Sequence, residues 1–259
     1  MLLDLEPVLF RLGPLAIRWY GLMMAISVAI GFYYLIKNGT KLGLEEELLS
    51  NLALVAVIGG IIGARLIYVA TNWAYYSTRP IEILQIYQGG LSFHGALIGG
   101  LLTGKWFLDR HKIAWEMVAD LVVPGLAVGY SLVRIGNIFN QEILGRTALF
   151  LPFTQHPTQI YGSLIGITLL IIHNYLARKT PPQGYLFWAF IFYYSLLRGV
   201  IEETFRANPL YLWGYVNYQW GFGFFTLTHL ITPVLLLLSW LMMKRTQVKQ
   251  KNVSKKEEI

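Results

Sequence analysis

Cysteine does not occur in the 259 residues. Disulfides, an enzyme-borne thiolate nucleophile and cysteine metal sites are thereby excluded, and the redox compartment is left open. Charge is also scarce: Asp, Glu, Lys and Arg make up 14% of the chain, against about 25% in soluble domains. A positive leader is missing too, since Asp4 and Glu6 precede the first arginine, Arg11. A cleavable signal peptide needs a positive start and a small-residue cleavage site, so the first apolar run is expected to be retained. No internal repeat of the kind found in inverted-repeat transporters is present. His111, His173 and His229 have no carboxylate or histidine at ligand spacing, so no metal site and no cofactor is expected.

What the chain does contain is apolar. Hydrophobic residues make up 55% of it, and its mean hydropathy is +0.51. A membrane-crossing helix needs roughly 20 apolar residues. Seven runs approach that length: approximately 17–36, 48–70, 91–108, 114–133, 159–177, 184–201 and 222–243. The sequence therefore predicts an all-α integral membrane protein, a bundle of about seven transmembrane helices forming one domain over 1–245. Residues 246–259 are Lys/Glu-rich and are expected to form a disordered basic tail. Within the runs, small residues recur at helical spacing, as in Gly59-Gly60-Gly63-Ala64 and Gly95-Gly99-Gly100. Such residues form seams along which helices approach closely in lipid.

The ten lysines fall in four places: Lys37 and Lys41, Lys105 and Lys112, Lys179, and the group from Lys244 to Lys256. Cytoplasmic ends collect basic residues, so these ends are expected inside, with the N-terminus outside and the C-terminus cytoplasmic. Eight of the eleven arginines, Arg11, Arg18, Arg65, Arg79, Arg134, Arg146, Arg198 and Arg206, lie on the other face or within runs, where no lysine lies. Arginine suits that place because its planar fork binds phosphate bidentately and keeps its charge when desolvated. The basic tail is accounted for as an anchor on anionic lipid, and nucleic acid is not an expected partner.

Four polar clusters interrupt the apolar pattern near the outer ends of runs: Arg18-Trp19-Tyr20-Gly21, Ser92-Phe93-His94-Gly95, Arg134 to Arg146 continuing to His156–Tyr161, and Arg198 with Glu202. A charge near the bilayer centre costs roughly 2.5–3.5 kcal/mol on insertion scales, so such residues face a protein interior and often serve a ligand. The segment Arg134-Ile-Gly-Asn-Ile-Phe-Asn-Gln-Glu-Ile-Leu-Gly-Arg146 combines cations, amides and glycines. That is chemistry for an anion at membrane depth, and a phospholipid head group is the nearest one. Arg198 and Glu202, four apart, can pair on one helix face. Arg65 reads either as part of an ion pair inside the bundle or as a phosphate clamp. His94 reads as a neutral-pH proton acceptor or as a hydrogen-bonded hinge. Two loops, 71–90 and 202–221, are rich in aromatics, among them Trp73, Tyr87, Tyr211, Trp213 and Trp220. Both suit the interface at head-group level, and the second would also suit a partner peptide.

Nearly the whole chain resembles the bacterial prolipoprotein diacylglyceryl transferases. The resemblance runs in order through Trp19-Tyr20-Gly21-Leu22, Gly63-Ala64-Arg65 with Tyr68, and Gly89 to Gly95 with Leu97-Ile98-Gly99. It continues through Arg134-Ile135-Gly136-Asn137 with Asn140, Glu142, Gly145 and Arg146, then His156-Pro157-Thr158-Gln159 with Tyr161, and Arg198 with Glu202. The Arg134–Arg146 segment is the family signature. The resemblance implies a multi-pass protein of the bacterial cytoplasmic (inner) membrane. Its implied activity moves the diacylglyceryl group of phosphatidylglycerol onto the lipobox cysteine thiol of a prolipoprotein signal peptide, releasing glycerol phosphate and forming a thioether. It further implies catalytic roles for His94, Arg134 and Arg198. Substrate-binding roles follow for Tyr20, Arg65, Asn137, Asn140, Glu142, Gly145, Arg146, Tyr161 and Glu202. The sulfur nucleophile belongs to the substrate, which suits an enzyme without cysteine.

The chain departs from the family at Ala96, where glycine is usual, at Gly162, where glutamate is common, and in the short stretch between Arg146 and His156. Two other functions fit the residues themselves: a lipid- or lipoprotein-binding relative without turnover, and a transporter. The latter would need a polar path to both faces, whereas these clusters favour one.

Overall fold

The computed structural model describes residues 5–13, 15–149, 151, 155–209 and 213–257. Asp4, Tyr211 and residues 258–259, which figure in the expectations above, lie outside them. In chain order the elements are β1 (Val8–Leu12), β2 (Leu15–Arg18), α1 (Trp19–Lys41), α2 (Glu46–Thr71), a short α3 (Trp73–Tyr76) and α4 (Phe93–Arg110). There follow α5 (Trp115–Phe139), α6 (Thr158–Ala177), α7 (Tyr185–Leu197), a π-helical turn over Arg198–Glu202, a short α8 (Glu203–Phe205), β3 (Val216–Asn217), β4 (Phe222–Gly223) and α9 (Leu227–Glu257). The protein is thus mostly helical. The chain divides into two compact units, one of residues 1–34 with 119–259 and the other of residues 35–118.

Among the described residues, five helices are long and apolar enough to cross a membrane: α1, α2, α5, α6 and residues Leu227–Gln250 of α9. The other two runs predicted to span are helical but differ from these five. The 18-residue α4 carries Lys105, Asp109 and Arg110 in its last turns. In α7 the α-helical part is 13 residues before the π turn begins. Helical backbone in α9 continues to Glu257, across the point after residue 245 where composition alone places a separate tail. Large apolar side chains stay exposed on the helix surfaces, Leu54, Ile62, Leu66, Leu101, Leu164 and Leu237 among them. On a soluble surface patches of this kind are a liability; hydrocarbon covers them at no cost.

In the first unit β1 and β2 form an antiparallel hairpin with Phe10 opposite Ile17. The sequence reading, tuned to helical periods, does not foresee it. A core of Ala127, Ile165 and Leu169 joins α5 to α6, and Tyr130, Tyr193, Tyr194 and Leu197 pack on it. α7 starts where it does because Asp120 of α5 accepts the Gly184 N–H (2.6 Å) and the Phe187 N–H (2.7 Å). Those N–H groups would otherwise be orphaned at a helix start. This bond sets where α7, and hence Arg198 at its end, begins.

In the second unit α2 and α4 pack along the small-residue seam, with Gly59 and Gly63 of one against Gly95 and Gly99 of the other. α4 begins at an N-cap, where Ser92 Oγ accepts the Gly95 N–H (3.3 Å).

Candidate functional site

The last turns of α5 place Tyr130, Arg134 and Asn137 on one face, by their spacing of four and three. Arg134 is 8% exposed, so each of its donors needs a partner. Its Nε and Nη2 donate to the two carboxylate oxygens of Glu202 (2.9 and 2.8 Å). Nη1 donates to Asn137 Oδ1 (3.2 Å), and Nη2 also reaches the Tyr130 hydroxyl (3.2 Å). Glu202 is wholly buried and takes a further bond from the Tyr130 O–H (2.5 Å). The pair expected from the sequence, Arg198 with Glu202, is present at 3.7 Å from Nε to Oε1. Arg198 Nε is buried without a hydrogen-bond partner among the described residues. The bidentate partner of Glu202 is therefore Arg134, 68 residues away, while Arg198 stands one step off.

Beyond Asn137 the helix ends in a turn in which Gln141 and Ile143 take positive φ, 54° and 55°. The Glu142 N–H donates to Asn137 O (3.0 Å), and Asn137 Nδ2 returns a bond to Glu142 Oε2 (2.9 Å). Asn140 Nδ2 reaches Glu142 Oε1 at 3.4 Å. Asn140 Oδ1 is buried with no hydrogen-bond partner among the described residues. Gln159 at the start of α6 donates to Glu142 O (2.9 Å), and Thr158 donates to Ile143 O. Tyr20 packs on Gly136, and Trp19 stacks on Phe139 with ring centroids 4.9 Å apart. The start of α1 is thus fixed against the end of α5.

Two glycines are required by close approach. A Cβ on Gly145 would overlap the His156 carbonyl. A Cβ on Gly162 would lie 2.6 Å from Glu202 Oε2 and 2.7 Å from Arg134 Cδ. The departure from the family at 162 thus has a physical role here, because α6 passes directly beside the buried ion pair.

Arg146 continues outward. Its N–H donates to Phe205 O (2.7 Å), its guanidinium lies on Gly223, and its Nε and Nη2 have no hydrogen-bond partner among the described residues. Burial holds its pKa below the ordinary guanidinium value, and Glu203 and Tyr218 act in the opposite direction. Tyr161 is tied to His156, whose Nδ1 lies 3.1 Å from the Tyr161 hydroxyl while Nε2 lies 2.8 Å from Trp220 O.

The structure therefore brings Tyr20, Arg134, Asn137, Asn140, Glu142, Arg198 and Glu202 together in the first unit, with Gly145, Arg146 and Tyr161 on the adjoining loops. Arg65 and His94 belong to the second unit. Arg65 is buried and donates to four carbonyls, Ile83 (2.7 Å), Glu82 (2.5 Å), Gly89 (2.9 Å) and Gly90 (2.9 Å). Its guanidinium also lies over the Tyr76 ring at 5.2 Å. Neither an ion pair nor an open clamp describes it; it braces the loop over residues 79–90. His94 is exposed in the first turn of α4, edge-on to Phe93.

Sequence reasoning passed over Tyr130, Tyr194 and Glu203. Arg134 and Arg198 each have a tyrosine four residues earlier, Tyr130 and Tyr194, and that spacing was the available signal. The two rings meet edge to face at 5.1 Å. Glu203, also buried, lies 3.9 Å from Arg206. The adjacent Glu202 and Glu203 thus serve different arginines, Arg134 and Arg206.

A family model described as prolipoprotein diacylglyceryl transferase matches residues 7–247. The chain is 48% identical over 242 residues to a phosphatidylglycerol–prolipoprotein diacylglyceryl transferase of Thermoanaerobacter sp. (strain X514), covering 93% of this chain and 94% of that one. A protein of the same name from Thermus thermophilus is 37% identical over 268 residues, covering 91% and 96%.

Proposed function

Since the chain belongs to the prolipoprotein diacylglyceryl transferase family, we propose that it transfers the diacylglyceryl group of phosphatidylglycerol to prolipoproteins. The acceptor is the thiol of a lipobox cysteine. Its sulfur attacks the glycerol carbon that carries the phosphate, the carbon–oxygen bond breaks, and the electron pair leaves with glycerol phosphate. The thiol proton passes to a base, and the product is a thioether. The setting is the bacterial cytoplasmic membrane, with seven crossings, the N-terminus outside and the C-terminus inside. The basic end of α9 lies on anionic lipid.

The observation that carries this reading is the Arg134–Glu202–Arg198 cluster. It holds two guanidinium groups and one carboxylate, with the Arg198 Nε 3.7 Å from Glu202 and without a hydrogen-bond partner among the described residues. A leaving phosphate needs fixed cations where its charge develops. Arg198 meets the phosphate, and Arg134, locked to Glu202 and Asn137, sets the cluster's shape and adds its field. Asn137, Asn140, Glu142, Gly145 and Arg146 shape the lipid site on one side, and Tyr20 borders it. Tyr161 and Glu202 act through the residues they hold, and Arg65 acts through the loop it braces. His94 accepts the thiol proton. Arginines suffice for the phosphate, so the step needs no metal or cofactor.

The test is transfer by the purified protein in lipid, with phosphatidylglycerol and a lipobox peptide. A thioether-linked diacylglyceryl peptide and free glycerol phosphate are expected, and a Cys→Ser peptide should give neither. Binding of both substrates without product would instead identify a non-catalytic relative and reject the proposal.

A further inference from the structure

Two arginines compete for one buried carboxylate at this site. Arg134 holds Glu202 through two hydrogen bonds, whereas Arg198 stays 3.7 Å from Oε1. Arg198 has a sequence advantage, lying one turn away on the same helical segment, so something must bias Glu202 toward the more distant partner. Tyr130 supplies that bias. Its hydroxyl donates to Glu202 Oε2 (2.5 Å), on the side facing Arg134, and accepts from Arg134 Nη2 (3.2 Å). Its ring lies under the Arg134 guanidinium at 4.6 Å and edge-on to Tyr194 at 5.1 Å, which fixes where the hydroxyl points.

We propose that Tyr130 is a positioning residue that latches Glu202 to Arg134 and so leaves the Arg198 charge for the lipid phosphate. The proposal rests on the phosphate role assigned to Arg198 above. Without the hydroxyl, Glu202 Oε2 loses its second donor, and the carboxylate gains by turning toward Arg198. An Arg198 bonded to Glu202 offers less charge to phosphate, so the lipid loses affinity while the peptide does not. A residue that merely filled space would not separate the two substrates.

The decisive variant is Tyr130→Phe, which keeps the ring contacts with Arg134 and Tyr194. The KM for phosphatidylglycerol is expected to rise about tenfold, the scale of one hydrogen bond to a charged group, with the KM for the lipobox peptide unchanged. In an Arg198→Gln background the same substitution should cost no further lipid affinity, because no second arginine remains to capture Glu202. Tyr130→Met, which also lacks a donor, covers the case in which Tyr130→Phe does not fold, and should show the same lipid-selective rise in KM. A parental lipid KM in Tyr130→Phe overturns the proposal. So does an equal shift for both substrates, a full loss that persists without Arg198, or a folded Tyr130→Met protein with the parental lipid KM. If the parent transfers no lipid, the proposed function fails separately. Equilibrium binding of phosphatidylglycerol vesicles to the same variants then judges the latch.

Discussion

At the scale of single residues, the two site arginines are not equivalent, and substitution should separate them. Arg134 is buried and compensates a wholly buried Glu202. Breaking a buried pair by removing one partner costs roughly 3–5 kcal/mol. Arg134→Ala should therefore lower the unfolding temperature in detergent as well as abolish transfer. Arg198 is more open, its side chain 25% exposed, and it is one step removed from Glu202. Arg198→Lys should keep the parental unfolding temperature yet lose about 10²–10³ in rate, the typical cost of removing a charge-stabilising donor. A point charge does not replace the planar fork. Near-parental transfer by folded Arg198→Lys would remove this arginine from the phosphate. His94 raises a different question, because only a base role depends on the thiol's own ionisation. A free thiol has a pKa near 8.5. A His94→Gln enzyme lacking its base should therefore recover rate as pH rises toward and past that value. A flat, low profile with intact lipid binding would leave His94 as a hinge.

Among the elements, the site hangs on a few close approaches. Gly162 lets α6 pass the Arg134–Glu202 pair, with a Cβ there falling 2.6 Å from a carboxylate oxygen. That oxygen is fixed by Tyr130 and Arg134 and cannot step aside freely. Gly162→Ala should cost about 1–3 kcal/mol, as overpacking does, and should lower transfer through displacement of Glu202. Stability and rate at the parental level would show that Glu202 can move at no cost. This relation also marks the limit of what was legible beforehand. The Arg198–Glu202 spacing and the polar run from Arg134 to Arg146 could be read locally, because the first lies on one helical turn and the second is continuous in sequence. The bond between Arg134 and Glu202 could not, because it joins residues 68 apart through tertiary packing that no local pattern encodes. The π turn was equally hidden, since an i to i+4 pairing looks the same on either helix. Arg65 misled for a related reason. A buried arginine suggests an anion, yet loop carbonyls serve its donors as well.

For the whole molecule, the open choice is between five and seven crossings, and it has opposite consequences for the loops. The five helices that meet the length and hydropathy demands of a bilayer leave out α4 and the α7 segment. If those two do not cross, the loops before α5 and after α6 lie outside, and the loop holding Glu142 and Arg146 faces the cytoplasm. If they cross, each of these loops changes side, and the polar cluster faces the outer side, to which a prolipoprotein is secreted. With the N-terminus outside, as proposed, the C-terminus is cytoplasmic in both arrangements, so locating it does not separate five from seven. Lysine placement favours seven, because Lys112 and Lys179 then sit inside with the tail. A chain without cysteine suits the measurement, since any single introduced thiol reports alone. Lys112, Gln141 and Lys179 are all exposed. With seven crossings, a membrane-impermeant maleimide applied to intact spheroplasts should label Gln141→Cys and spare Lys112→Cys and Lys179→Cys until the membrane is opened. The reverse pattern arises from five crossings with the N-terminus outside, or from seven with both ends exchanged, and in either case places the Arg134–Arg146 loop on the wrong side for its proposed substrate. It would thereby overturn the proposed orientation together with the route by which the peptide thiol reaches the lipid.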